Sequence, residues 1–166
     1  MNINKFTQKS MEAVQNCEKL AYEYGNQQIE QEHLFYSLLT LDDSLILKLL
    51  TKMGISKEMV TGEAEQKLAG LPKVSGGGQV YISQDLNKVL INAEDESKAM
   101  GDEYVSVEHI FLSMIKHADR TMKELFRQYG ITRDAFLQAL STVRGNQRVV
   151  SDNPEATYDT LTKYGY

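Results

Sequence analysis

Glu32-His33-Leu34-Phe35-Tyr36-Ser37 is echoed 76 positions later by Glu108-His109-Ile110-Phe111-Leu112-Ser113. The match needs no gap. Gly25 falls on Gly101, Glu32 on Glu108, His33 on His109, Phe35 on Phe111 and Ser37 on Ser113. Further along, Asp43 meets Asp119, Leu49 meets Leu125, Gly54 meets Gly130 and Ile55 meets Ile131. Upstream, Gln8 meets Gln84, Asn16 meets Asn92 and Glu18 meets Glu94. Apolar character also agrees: Phe6 with Ile82, Val14 with Leu90, Leu34 with Ile110, Leu39 with Ile115. Two unrelated amphipathic stretches would share apolar spacing, but not glycines and a Glu-His pair as well. The chain is an internal duplication.

Each repeat reads as four helices. In the first, Ala13, Val14, Cys17, Leu20, Ala21 and Tyr24 recur at three- and four-residue spacing, which marks one buried helical face. Thr7 is placed to cap that helix, and Gly25 to end it in the left-handed conformation that glycine adopts without penalty. A second helix carries Leu34, Phe35, Leu38 and Leu39. A third carries Leu45, Ile46, Leu49, Leu50 and Met53, stopped by Gly54. Ser56 caps a fourth, running to about Leu71. The second repeat follows suit: Ser83 as cap, Val89, Leu90, Ala93 and Met100 inside, Gly101 as stop. Ile110, Phe111, Met114 and Ile115 come next, then Met122, Leu125, Phe126 and Tyr129. Gly130 and the cap Thr132 lead to Ala135, Phe136, Ala139, Leu140 and Val143. Strand signals are few, and no alternating run stands out. The expected architecture is all-α, with two pseudo-twofold-related four-helix repeats forming one compact domain.

Residues 1–71 form the first repeat and 81–145 the second. Between them, residues 72–80 contain proline, serine and three glycines, which reads as a flexible linker. After Val143 the pattern changes. Asn153-Pro154-Glu155 is an N-cap followed by proline and an acid in the first turn, so a short helix through Leu161 to Lys163 should follow. Residues 146–166 find no counterpart in the repeats and read as a connector towards a further module.

The chain has 166 residues, with 42% hydrophobic and 25% charged side chains. A chain of this size buries roughly 70% of its extended surface and folds without staples. A single cysteine excludes an internal disulfide framework and fits a reducing, cytoplasmic setting. No apolar run reaches the ~18–20 residues of a membrane span, and MNINKFTQKS has no apolar leader core. The net charge of −5 is spread evenly, without the basic stripe that nucleic-acid binding needs. No GxxxxGK[ST] cradles a phosphate, and no HExxH or paired-cysteine spacing holds a metal, so no cofactor or metal is expected. Cys17, on an inward helix face, reads as a small buried hydrophobe. No serine or cysteine sits in a recognisable nucleophile arrangement, and the chain is not expected to be an enzyme.

The Glu-His pairs admit two readings. Adjacent helix residues point about 100° apart, so neither pair chelates one ion. Ser106 is placed as an N-cap, and a glutamate in a first turn complements the helix dipole by ~0.3–1 kcal/mol. Alternatively, Glu32 and Glu108 accept cationic groups of a ligand.

The duplicated Glu-His-Ile-Phe-Leu-Ser pattern with Gly-Ile-Thr resembles the double Clp N-terminal repeat of the Clp/Hsp100 AAA+ unfoldases over about residues 1–145. The segments 143–149, 153–155 and 161–165, with Ile82-Ser83-Gln84-Asp85-Leu86, resemble those of ClpB-type disaggregases. The resemblance implies a hexameric ATP-driven ring, absent from this chain, and a domain that engages unfolded or aggregated polypeptide. It also implies cooperation of the full-length protein with an Hsp70-type chaperone system. A suitable site is an apolar groove with a polar rim. Met11, Tyr81, Ile82, Leu86, Leu90 and Ile110 are the candidate walls, although helical spacing also fits them to a core. Thr7, Ser83, Asp102 and Glu108 are the candidate rim. The matched acids Glu32 and Glu108 also resemble the ClpC-type domain, whose equivalents are associated with phosphorylated arginine; adaptor docking is the other alternative.

With no phosphate-cradling loop, calorimetry on this chain should find no saturable micromolar ATP binding. With no heptads and an evenly mixed charge, light scattering should find a monomer. A stable hexamer would refute the monomer, and saturable ATP binding would overturn the domain assignment.

Overall fold

Thr7 and Ser83 each accept a hydrogen bond from an amide three residues on, Ser10 N at 3.2 Å and Leu86 N at 3.1 Å. These caps start the two long helices, α1 (Gln8–Glu23) and α5 (Gln84–Ala99). The computed structural model describes residues 3–76, 78–145 and 147–155. The remaining helices are α2 (Gln31–Thr40), α3 (Leu45–Lys52), α4 (Lys57–Ala69), α6 (Val107–Lys116), α7 (Arg120–Tyr129) and α8 (Arg133–Arg144). The all-α architecture is as expected. Ser56 and Thr132 cap α4 and α8. The short helix expected after Asn153 falls, from residue 156 on, outside the described residues.

The repeats do not sit side by side; they cross. Ser83 N donates to Ile29 O at 3.0 Å, and Thr7 N donates to Val105 O at 3.0 Å. Ile29 and Val105 are 76 apart, as are Thr7 and Ser83, so each repeat's first helix is anchored to the other repeat's second. At one crossing a two-residue parallel pairing forms, β1 (Gln28–Ile29) against β2 (Tyr81–Ile82). At the other, Phe6 bridges Val105. Strand pairing this short leaves no alternating pattern to read, which is why the sequence reading finds none.

The pseudo-axis passes close to the repeat mates Phe35 and Phe111, whose rings stack at 6.1 Å and 24°. Phe126 meets both edge-on at 5.7 Å, and Phe136 packs on Phe111 at 4.8 Å. Such aromatic contacts add ~0.5–1.5 kcal/mol each beyond area burial. α1 packs on α2, α5 on α6, and α3 on α6 and α8, closing one core.

The repeated polar residues build the same network twice. Ser37 Oγ donates to Ala13 O, and Ser113 Oγ to Val89 O, both at 2.7 Å, tying each repeat's second helix to its first. His33 Nδ1 accepts Glu30 N at 2.8 Å, and His109 Nδ1 accepts Ser106 N at 2.9 Å. Each histidine thus fills the place that Glu or Gln takes in an ordinary capping box. With Nδ1 accepting, Nε2 carries the proton. It donates to Asn26 Oδ1 at 2.9 Å in the first repeat and to Asp102 Oδ2 at 2.7 Å in the second. Burial lowers the His33 pKa to about 4, so it stays neutral at pH 7.

The linker and the connector are also repeat mates, contrary to the expectation that the tail has no counterpart. Asn26 Nδ2 donates to the carbonyl of Pro72, in the 72–73 peptide, at 3.0 Å. Asp102 Oδ1 accepts from Val149 N, in the 148–149 peptide, at 3.0 Å. The two peptides are 76 apart. An asparagine donates where an aspartate accepts, so the chain leaving each repeat lies on the same polar residue. Val74 N also donates to Gly25 O, and Lys73 Nζ to Tyr24 O.

Removing His109 strips a partner from an ionised, buried Asp102; removing His33 strips one from a neutral Asn26. His109→Ala should therefore cost the larger stability, on the order of 2–4 kcal/mol against about 1–3 for His33→Ala. Urea melts check this, and equal costs would contradict it.

Candidate functional site

The two crossings are equivalent by symmetry and differ in exposure. At the Phe6–Val105 crossing, Phe6 and Val105 are 6% and 1% exposed. At the β1–β2 crossing, Tyr81 and Ile82 are 49% and 37% exposed. The connector accounts for part of the difference. Glu103 N donates to Val149 O at 2.8 Å, and Gln8 N to Asp152 O at 2.7 Å, which lays residues 149–152 over the first crossing.

Around β1–β2 the surface is concave and apolar in patches. A cleft of ≈ 580 Å³ is lined by Tyr22, Asn26, Gln27, Val74 and Val80 among others. An adjoining one of ≈ 200 Å³ has Gln28, Leu71, Pro72, Val74 and Tyr81 in its walls. Tyr22 and Val74 stand half-exposed beside them. On the other flank, Val14, Cys17, Leu34, Ile82, Leu86 and Leu90 line a narrow crease. Its free space, ≈ 10 Å³, is barely that of one water. Together these make an open apolar strip along β2, walled by the linker.

Of the expected groove walls, Tyr81 and Ile82 stand on this strip. Met11 is half-buried and packs against the core. Leu86 and Leu90 are buried and reach only the floor of the crease. Ile110 is fully buried and belongs to the core, because its helix α6 is enclosed by α1, α3, α5 and α8. The expected rim is interior as well. Thr7 and Ser83 are buried helix caps, and Asp102 and Glu108 sit inside an ion-pair cluster. Tyr22, Val74 and Val80 were missed. Val74 and Val80 lie in the stretch read as a linker, whose glycines and proline masked its role as a wall.

The two acids differ. Asp102 pairs with Arg144, and Arg144 Nη1 lies 3.4 Å from Glu108 Oε2. Burial pushes the Asp102 carboxyl up. Hydrogen bonds from His109, Arg144 and Val149 N outweigh that and hold it well below the usual carboxylate range. In the first repeat the counterparts of Asp102 and Arg144 are Asn26 and the buried Leu68. Glu32 has no equivalent cation, and its buried Oε1 has no hydrogen-bond partner. Burial, reinforced by Asp119 and Glu30, pushes its pKa up to about 7. Burial also raises the Cys17 thiol far above its usual range, so it is no nucleophile. Among the described residues no group of His, Cys, Asp and Glu could hold a metal ion, and no helix is long and apolar enough to cross a membrane.

Comparison with known proteins fits this architecture. The chain is 40% identical over 170 residues to the chaperone protein ClpB of Nitratidesulfovibrio vulgaris, covering 99% of this chain and 20% of that protein. It thus spans about one fifth of the relative's length. In structure it resembles the Hsp104 N-terminal domain from Candida albicans, with TM-score 0.79, 22% identity, 91% of this chain and 99% of that one. It also resembles the ClpV N-domain solved in complex with VipB peptide, with TM-score 0.65, 20% identity, 84% of this chain and 86% of that one. Residues 5–129 match the Clp repeat (R) N-terminal domain, and it is to this family that the chain belongs.

Proposed function

We propose that this chain is the substrate-engaging N-terminal domain of a ClpB-type ATP-dependent disaggregase. It binds unfolded or aggregated polypeptide along the apolar strip beside β1–β2 and passes it to a hexameric AAA+ ring. The observation that carries this reading is the exposure of Tyr81, Ile82, Tyr22 and Val74 around open clefts at a crossing whose symmetry mate is buried. An unfolded client offers scattered apolar side chains and no fixed shape. A shallow, uneven strip suits it better than a deep pocket, and weak contacts let the client go. Six copies around a ring raise the effective affinity without new contacts. ATP hydrolysis and cooperation with an Hsp70-type chaperone belong, on this reading, to the full-length protein.

A second reading is favoured by one feature, the unpaired buried oxygen of Glu32. An acid that has no ion pair among the described residues, only the weaker pull of Lys67, could receive a guanidinium from an adaptor or a phosphoarginine-tagged client, as in a ClpC-like domain. Glu108 argues against a matched pair of such sites, because Arg144 already occupies it.

Tyr81→Ser and Ile82→Asn discriminate the readings, since both side chains are exposed enough to change without opening the core. Each should weaken binding to an unfolded model protein about three- to tenfold, as expected for losing ~1 kcal/mol or so of apolar contact. Binding should persist in high salt, and Glu32→Gln should leave it within about twofold. Unchanged binding by both strip variants, together with its loss in Glu32→Gln and in salt, would replace the strip with the charged site.

A further inference from the structure

We propose that the adjoining N-termini of α1 and α6 form a receptor for the carboxyl group of Glu155, and that the connector docks on the domain through it as a proton-dependent clasp. The inference is independent of what the open strip binds.

The receptor has two donors. The Thr7 hydroxyl donates to Glu155 Oε2 at 2.9 Å, and Val107 N, in the first turn of α6, donates to the same oxygen at 3.3 Å. Glu155 is buried there, 148 residues along the chain from Thr7. Straps from the residues before it align it: Gln8 N to Asp152 O, Gln8 Nε2 to Asp152 Oδ2 at 3.2 Å, and Val149 N to Asp102 Oδ1. Val149 itself is fully buried. This is an organised docking site, made by residues from both repeats.

Its charge balance makes it conditional. From α6, Glu108 faces Glu155, and His109 is closed on Asp102. From α8, Arg144 serves both Asp102 and Glu108. α1 contributes Thr7 and Ser10, which do not titrate, and the connector contributes Asp152, held by Gln8. Among the described residues one guanidinium thus faces two carboxylates before Glu155 arrives as a third. Glu155 Oε1 has no hydrogen-bond partner, leaving a place for a proton. Burial, and then the charge of Glu108, raise the docked Glu155 pKa from 4.5 to about 7, against the pull of its own amide and of the two receptor donors. The docked carboxyl thus holds a proton that the free one has lost between these values. Docking is tightest at the acid end of this window and weakens as pH rises through about 7. The full swing between 4.5 and about 7 corresponds to a few hundredfold at most. Release would free residues 147–155, adding up to about 30 Å of reach, and would uncover the Phe6–Val105 crossing.

Amide hydrogen exchange on the 166-residue chain tests this through Gln8 and Val149, with the core amide of Phe111 as reference. Corrected for intrinsic rates, their protection should fall at least tenfold between pH 5.5 and 8 while that of Phe111 holds. In Glu155→Gln, which keeps the acceptor but cannot ionise, protection should be independent of pH. In Glu155→Ala it should be low at both ends. Flat protection in the parent chain, the same fall in Glu155→Gln, or a fall shared by Phe111 would each overturn the proposal.

Discussion

Two crossed backbone hydrogen bonds, Thr7 N to Val105 O and Ser83 N to Ile29 O, fix how the two repeats meet over their shared core. Each ties the start of one repeat's long helix to the entry of the other repeat's second helix. The helix starts, capped within each repeat, are thereby joined across the two. The crossings bring four helix N-termini together in two pairs, with their caps and, in all but α1, a first-turn acid. Phe35 on Phe111 then closes the core near the pseudo-axis. The polar chemistry of the domain gathers at the crossings because helix N-termini concentrate unpaired amides there.

Symmetry is broken by a few substitutions that belong together. Where the first repeat has neutral Asn26 and apolar Leu68, the second has Asp102 and Arg144. Both combinations are self-consistent: amide with hydrocarbon, or carboxylate with guanidinium. A buried arginine opposite Asn26 would keep only the Glu32 carboxylate of the two that Arg144 meets, and an aspartate in place of Asn26, beside Leu68, would lack its cation. The charged version also supplies the acceptor for the Val149 amide, which helps keep the connector over its crossing. The neutral version holds the linker through Pro72 and leaves the neighbouring strip open.

Much of this was legible in the sequence. The 76-residue repeat, the helix caps Thr7, Ser56, Ser83 and Thr132, and the glycine stops at Gly25, Gly54, Gly101 and Gly130 all report local chemistry, which sequence carries directly. The crossing of the repeats was not legible, because two-residue pairings leave no periodicity. The site was half legible. Tyr81 and Ile82 stand on the strip, whereas Ile110 and Glu108 are interior. Spacing places a residue on a helix face but does not say whether that face meets a neighbour or water. Val74 and Val80 were hidden by composition, since a Gly- and Pro-rich stretch can be pinned by as few as three hydrogen bonds, here through Pro72, Lys73 and Val74.

The account turns on an asymmetry between two equivalent crossings, one covered by the connector and one open, where we propose that a client binds. NMR shift mapping of this chain with an unfolded model protein addresses that asymmetry directly. Perturbations should cluster on Tyr22, Val74, Val80, Tyr81 and Ile82, with Phe6, Val105 and Val107 unmoved. Perturbations centred on Phe6 and Val105, or on Glu32 and its neighbours without the strip, would contradict it.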